Sequence, residues 1–188
     1  MGIGDKILNS FFQSVTYRTA GFVSIPQDGL RESSVVIGCI WMFIGGSPVG
    51  TAGGVKTITA FLFLTNALSY IFNRHEHVVY GRRVPEDQMR KASAIVFVSL
   101  SITLVMTLLL LSRPGIVLTD ALYEVFSAVG TVGVSRGLTP NLDTVGRIII
   151  IISMYLGRIG PISMAIFFTN GNDSASKIRH GEGRFYVG

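Results

Sequence analysis

The feature that most constrains the fold is a run of 20 residues, 92–111, without a charged side chain. A helix of that length is ~30 Å long, which matches the hydrocarbon core of a bilayer. Residues 33–44 form a second uncharged run, and only 14% of the chain is charged. Together with a mean hydropathy of +0.52, these runs predict an all-α membrane protein.

The distribution of positive charge predicts the orientation of the chain in the membrane. Eight Lys and Arg residues lie in two polar segments, 73–91 and 171–188, whereas the loops 23–31 and 112–118 carry two. Because cytoplasmic loops hold the excess of Lys and Arg, both polar segments are predicted to be cytoplasmic in a multi-pass protein of the cell membrane. The sequence lacks a basic stripe interleaved with aromatic residues, the pattern that would indicate nucleic-acid binding.

The apolar tract 33–72 is too long for one spanning helix, since its residues would extend ~60 Å as a continuous helix. It is interrupted at residues 45–57, GGSPVGTAGGVKT, which contain five glycines and a proline. Gly disfavours a helix by ~1 kcal/mol and Pro by ~3 kcal/mol per site. Two helical halves joined by an unwound loop are therefore predicted. Residues 142–170 form a similar segment, interrupted near 157–161.

Two short motifs indicate an internal repeat. TAGFVS occupies residues 19–24 and TVGVS occupies 131–135. The first follows a predicted short helix over 4–16, and the second follows one that Thr119 or Asp120 caps and that runs to about residue 129. Both motif glycines are followed after 24 residues by another glycine, at an offset of 112 between the copies. A fixed period of this kind is the signature of a repeat architecture.

A Thr- and Gly-rich loop that follows a half-membrane helix is well placed to bind a dehydrated cation. Moving a bare ion into a medium of low dielectric constant costs on the order of 20 kcal/mol. A ring of backbone carbonyls can replace the lost hydration, and glycine permits the backbone angles that aim them at an axis. The helix also directs its partially negative C-terminal end toward the ion. Two such units supply half of a fourfold pore.

Four motifs in order, FFQSVTYRTAGF, GGSPVGTAGGVKT, FSAVGTVGVSRGLTP and MYLGRIGPISM, resemble the third and fourth repeats of the Ktr-type potassium-translocating membrane subunit in the Trk/Ktr/HKT superfamily. The resemblance covers residues 7–170, and the first two repeats and the third M1 helix have no counterpart in this chain. It implies a potassium uptake protein, not an enzyme, built from repeated M1–pore helix–filter–M2 units with broken M2 helices.

The resemblance also implies boundaries for these units. Residues 1–72 would hold the pore helix, filter and broken M2 of the third repeat, and 73–91 a cytoplasmic connector. Residues 92–170 would hold M1, pore helix, filter and M2 of the fourth repeat, and 171–188 a cytoplasmic tail.

Site residues and partners follow from the same resemblance. The implied ion filter consists of Thr19, Ala20, Gly21, Phe22, Thr131, Val132, Gly133 and Val134. The implied gate consists of Gly45, Gly46, Ser47, Pro48, Gly50, Thr51, Ala52, Gly53, Gly54, Lys56 and Arg158. The transported ion would be K+, with Na+ as an activator and no other metal. Implied partners are membrane lipid, a second copy in a homodimer, and a cytosolic ring of nucleotide-binding RCK subunits.

For several charged residues the sequence allows two interpretations. Arg158 would form a positive barrier beside the gate loop or satisfy carbonyls of the broken helix, since a charge inside the membrane is expected to face protein or water. Lys56 would extend toward the cytoplasmic surface or belong to the gate. Arg18 and Glu124 flank the two filters, where they are expected to brace filter backbone rather than bind the ion.

Two other functions compete with conduction as interpretations of these motifs. A secondary transporter would use a midplane site formed by broken helices, but its usual device is inverted repeats, whereas these two copies are predicted to run in the same orientation. A phosphate-binding loop at residues 50–57 fails the required pattern, because Val55 separates Gly54 from Lys56.

Overall fold

The computed structural model describes residues 2–47, 52–72, 78–79 and 82–160. The helices are α1 (Ile3–Thr16), α2 (Glu32–Phe43), α3 (Thr57–Ile71), α4 (Glu86–Leu111), α5 (Leu118–Val129) and α6 (Thr144–Ile159), with a 3-10 turn at Thr139–Asn141. Strands β1 (Val78–Val79) and β2 (Arg82–Arg83) form an antiparallel hairpin. Apart from this hairpin, the predicted all-α architecture is confirmed in the described residues.

Helix α4 is the longest, with 26 residues, and its most apolar stretch has a mean hydropathy of 2.7. Within the described residues it alone is long and apolar enough to cross a membrane, while α2 and α3 are shorter apolar helices. It begins at Glu86, six residues before the predicted start at residue 92. Ion pairs Glu86–Arg90 and Asp87–Lys91, spaced four residues apart, extend the helix into the segment predicted as connector.

Helix α5 lies at the centre of the fold, in contact with α2, α4 and α6. One buried cluster joins α5 to α1 and α2 through Tyr17, Val35, Cys39, Met42, Tyr123, Val132 and Val134. A second joins it to α4 and α6 through Leu110, Ala121, Val125, Ala128, Val129, Leu142 and Ile150. A short helix with apolar residues on two faces is thus enclosed on both sides.

The chain between α2 and α3 folds back on itself. Gly45 N–H donates to the Val55 carbonyl at 2.8 Å, Val55 N–H donates to the Phe43 carbonyl at 3.0 Å, and a parallel bridge joins Ile44 to Val55. The interruption predicted at residues 45–57 thus coincides with the stretch between two separate helices. Pro48, Gly50 and Thr51, which the sequence places in the gate, lie outside the described residues.

The predicted cap of α5 is wrong. The helix begins at Leu118 after Val117, and no side chain accepts a hydrogen bond at this end. Asp120 instead accepts from Arg136 Nε at 2.8 Å, so an ion pair has replaced the cap. Helix α6, by contrast, is capped by Asp143, which accepts from Gly146 N–H at 2.9 Å. It ends at Ile159, and the predicted continuation to residue 170 and the tail lie outside the described residues.

Candidate ion-conduction site

The two Thr-Gly loops share an unusual backbone conformation. In the loop after α1, Thr19 has φ 65° and Gly21 has φ 77°; in the loop after α5, Thr131 has φ 55° and Gly133 has φ 91°. Positive φ is uncommon for any residue with a Cβ and strained for a β-branched one. The same strained threonine therefore precedes the same left-handed glycine in both loops.

The structure brings these loops into direct contact. A Cβ atom at Gly21 would lie 2.4 Å from the Val132 carbonyl oxygen and 3.8 Å from Gly133 Cα. Only glycine fits at Gly21, both because of its positive φ and because the neighbouring carbonyl leaves no space for a methyl group. The first of these two candidate filters thus packs edge to edge against the second.

Backbone N–H groups of both loops point back to the helix that precedes them. Ala20 N–H donates to the Thr16 carbonyl at 3.1 Å, and Val132 N–H donates to the Ser127 carbonyl at 2.9 Å. Among the described residues, no backbone N–H donates to the carbonyls of 19–21 or 131–133. The Phe22 carbonyl differs, since it accepts from the Thr16 hydroxyl.

Glu124 on α5 organises the exit of the second loop. Its side chain is only 4% exposed. Its carboxylate accepts from the Arg136 N–H at 3.1 Å, the Leu138 N–H at 3.3 Å, and the hydroxyls of Thr139 (2.8 Å) and Ser135. The geometry therefore supports bracing of the loop by Glu124. One turn along α5, Ser127 Oγ accepts from Gly133 N–H at 3.2 Å.

Arg18 does not brace the first loop as expected. Its guanidinium lies over the Trp41 ring, 5.0 Å from the ring centre, in a cation–π contact with α2. The Trp41 ring on α2 accounts for this difference, because a guanidinium also stacks on aromatic faces.

The segment before α3 reaches the start of the second loop. Gly53 N–H donates to Thr131 Oγ1 at 2.8 Å, and a Cβ atom at Gly53 would lie 2.4 Å from Thr131 Cγ2. A Cβ atom at Gly45 would lie 2.0 Å from the Gly53 carbonyl oxygen, and Gly54 has φ 69°. Lys56 Nζ donates to the Ala52 carbonyl, so its ammonium is held by this segment. Of the remaining gate residues, Gly46 is half-buried and Ser47 is exposed.

Arg158 lies in the last turn of α6, beside a cavity of about 410 Å³ that is also lined by Thr131, Gly133 and Glu124. Helix α6 approaches α5 closely here, since a Cβ atom at Gly157 would lie 2.1 Å from the Val129 carbonyl oxygen. The structure thus places Arg158 at a cavity beside the second loop.

Four further residues were missed by the sequence reasoning. Arg136 links the segment after the second loop to the segment after the first, since it pairs with Asp120 and donates to the Leu30 and Asp28 carbonyls, each at 3.4 Å. Gln13, Gln27 and Tyr123 form a buried hydrogen-bonded cluster. The only sequence signal for this buried cluster was Gln13, a glutamine on the apolar side of a short amphipathic helix.

Comparison with known proteins identifies the fold and the family of this chain. The fold is that of the potassium transporter TrkH from Vibrio parahaemolyticus, whose crystal structure matches 91% of this chain and 39% of that protein with a TM-score of 0.76 and 22% identity. The family model described as TrkH, cation transport protein, matches residues 1–178. The chain therefore belongs to the TrkH family of cation transport proteins, which confirms the resemblance.

Relatives with curated names are transporters rather than enzymes. The Ktr system potassium uptake protein B of Bacillus subtilis is 37% identical over 186 residues, which are 99% of this chain and 41% of that protein. The potassium/sodium uptake protein NtpJ of Enterococcus hirae is 35% identical over 164 residues, 85% of this chain and 36% of that protein. The chain thus spans about two fifths of the length of these relatives.

Proposed function

We propose that the chain supplies two of the filter segments of a potassium uptake pathway in the cytoplasmic membrane. One observation carries the proposal: two loops with positive φ at corresponding threonine and glycine residues lie side by side, close enough that Val132 O excludes a side chain at Gly21. Their carbonyls at residues 19–22 and 131–134 would replace water around K+, offsetting a desolvation penalty on the order of 20 kcal/mol.

The helices suit this role in a repeated architecture. Helices α1 and α5 are the pore helices, and each ends where its filter begins, so the partially negative end of each helix dipole faces the ion. Helix α4 is the M1 helix of the second unit, α2 and α3 are the halves of one broken M2, and α6 is the start of the other. The units then occupy 1–72 and 92–170, joined by a cytoplasmic connector at 73–91 into which α4 extends from Glu86, and followed by a cytoplasmic tail at 171–188.

The gate in this proposal is the glycine-rich segment between α2 and α3, together with Arg158. Support comes from the hydrogen bond that Gly53 N–H donates to Thr131 Oγ1, because Thr131 begins the proposed second filter. Arg158 adds a positive charge at the same end, and this charge would oppose the passage of a cation while the segment is in place.

Partners and ions are proposed from the relatives. The name "Ktr system" denotes a system rather than a single protein. The homodimer, the cytosolic ring of RCK nucleotide-binding subunits and the surrounding lipid are proposed from the sequence resemblance. The name of NtpJ includes both potassium and sodium. We propose K+ as the transported ion and Na+ as an activator.

The decisive experiment is flux through the intact gene product in proteoliposomes. Rubidium tracer should enter in exchange for internal K+, with a clear preference over Na+. Gly133→Ser should weaken that preference, whereas Gly115→Ser is a matched control because Gly115 also has positive φ (78°) but lies in the turn between α4 and α5. Movement of an organic solute without K+ or Rb+ flux would favour a secondary transporter and contradict the proposal.

A further inference from the structure

A buried polar cluster joins the two filter-bearing units at a point that the proposed conduction mechanism does not use. Its members are Gln13 on α1, Tyr17 at the end of α1, Gln27 in the loop after the first filter, and Tyr123 on α5. All four are at most 7% exposed. A buried polar group stabilises a fold only when it is hydrogen-bonded, so the partners of each group decide its role.

Gln27 is the acceptor shared by the cluster. Its Oε1 accepts from Tyr123 OH at 2.6 Å, from Gln13 Nε2 at 2.7 Å, and from Tyr17 OH at 3.5 Å. Its Nε2 donates to the Ile25 carbonyl at 2.7 Å and to Gln13 Oε1 at 3.2 Å. Both amide groups of the glutamine pair are therefore satisfied, and the shortest contact of Gln27 comes from the other unit.

The positions of these residues along the chain give the cluster a mechanical consequence. Tyr17 lies two residues before the first filter and Gln27 five residues after it, so the cluster holds both ends of the segment 19–22. The Tyr17 ring packs edge-on against the Tyr123 ring, with 6.3 Å between ring centres. It also packs closely on α2, since a Cβ atom at Gly38 would lie 3.1 Å from the tip of the Tyr17 side chain. The first filter can move relative to α5 only if this packing and these hydrogen bonds change together.

We propose that Tyr123 and Gln27 are positioning residues that set the first filter against the second and thereby determine cation selectivity. The inference rests on the proposed function, since it presumes that both loops bind the ion. Neither side chain touches the ion; they act through the backbone between Tyr17 and Gln27. A carbonyl ring distinguishes K+ from Na+ through the number and placement of its oxygens, so a displaced segment loses selectivity first.

Tyr123→Phe tests the proposal in the intact gene product, because it removes one hydroxyl and retains the packed ring. We expect membrane levels close to those of the unchanged protein and a K+/Na+ selectivity ratio that falls about fivefold to tenfold, because the variant loses the 2.6 Å hydrogen bond to Gln27 and the longer 3.3 Å contact with the Tyr17 hydroxyl. Tyr70→Phe is the matched control, since Tyr70 on α3 is 81% exposed and lies outside the cluster. An unchanged ratio in Tyr123→Phe would overturn the inference.

A double-mutant cycle separates positioning through Gln27 from a general loss of stability. If Tyr123 acts through Gln27, then Tyr123→Phe combined with Gln27→Leu should be no less selective than Gln27→Leu alone. Additive losses would overturn the inference. Should Tyr123→Phe fail to reach the membrane, Tyr17→Phe takes its place, with a smaller loss of selectivity expected from its longer 3.5 Å contact. Absence of K+ flux in the unchanged protein would instead refute the proposed function itself.

Discussion

The contact between the two loops makes a quantitative prediction for Gly21→Ala. The new methyl group would sit 2.4 Å from the Val132 carbonyl oxygen, whereas ordinary contact begins near 3.4 Å, so one loop must move by about 1 Å. A left-handed conformation costs an L-residue about 1–2 kcal/mol, and overpacking adds about 1–3 kcal/mol. The predicted penalty is therefore about 2–5 kcal/mol, concentrated where the two filters meet.

Matched variants separate the two contributions. Gly133→Ala and Gly115→Ala introduce the same left-handed strain, at φ 91° and 78°, but a Cβ atom at either position would have no neighbour within 4 Å. Each should therefore lose only about 1–2 kcal/mol of stability. Thermal unfolding in detergent measures stability, and rubidium uptake in a strain without its own potassium uptake systems measures transport. If Gly21→Ala behaves like Gly115→Ala in both assays, the loops do not share a close interface and the reasoning fails.

Three further predictions concern the surroundings of the loops. Glu124→Ala should lower the melting temperature and rubidium uptake far more than Glu124→Gln, because each buried donor left without an acceptor costs about 1–3 kcal/mol; equal effects would argue against bracing. Gly53→Ala should raise rubidium uptake relative to Gly4→Ala by displacing the gate segment from Thr131, and equal uptake would argue against a gate there. The Gly146 N–H and the Arg113 guanidinium hold the pKa of Asp143 below its usual range. The stability that Asp143 contributes should thus be present above about pH 4 and be lost as pH falls through the lowered pKa, and melting curves of Asp143→Asn should lack that step.

Apolar runs and glycines predicted most of the helical framework from the sequence. The interruption of the tract 33–72 and the helix over 92–111 follow from hydropathy and from the helix penalties of Gly and Pro. The start of α4 at Glu86 was missed because ion pairs between charged residues continue a helix without any apolar signal. The cap of α5 was missed because Asp120 is drawn to Arg136, a residue 16 positions away.

The candidate site was predictable only where it depends on local backbone. The Thr-Gly motifs and their period identified the two loops, because glycine is the residue that adopts positive φ most readily. Their contact, and the choice of Trp41 by Arg18, depend on pairs far apart in sequence, for which a single chain offers no pattern. The cluster around Gln27 is hidden for the same reason, since it joins residues up to 106 positions apart.

Helix α5 explains how two strained loops can keep a fixed separation. Neighbouring residues on a helix point about 100° apart, and Tyr123 and Glu124 use that divergence to hold different loops, the first through Gln27 and the second directly. A threonine with positive φ persists only where its surroundings over-determine it, and here the determinant of each loop is a side chain on the same rigid helix. Both loops are therefore tied to one helix, which helps to fix the spacing between Gly21 and Val132.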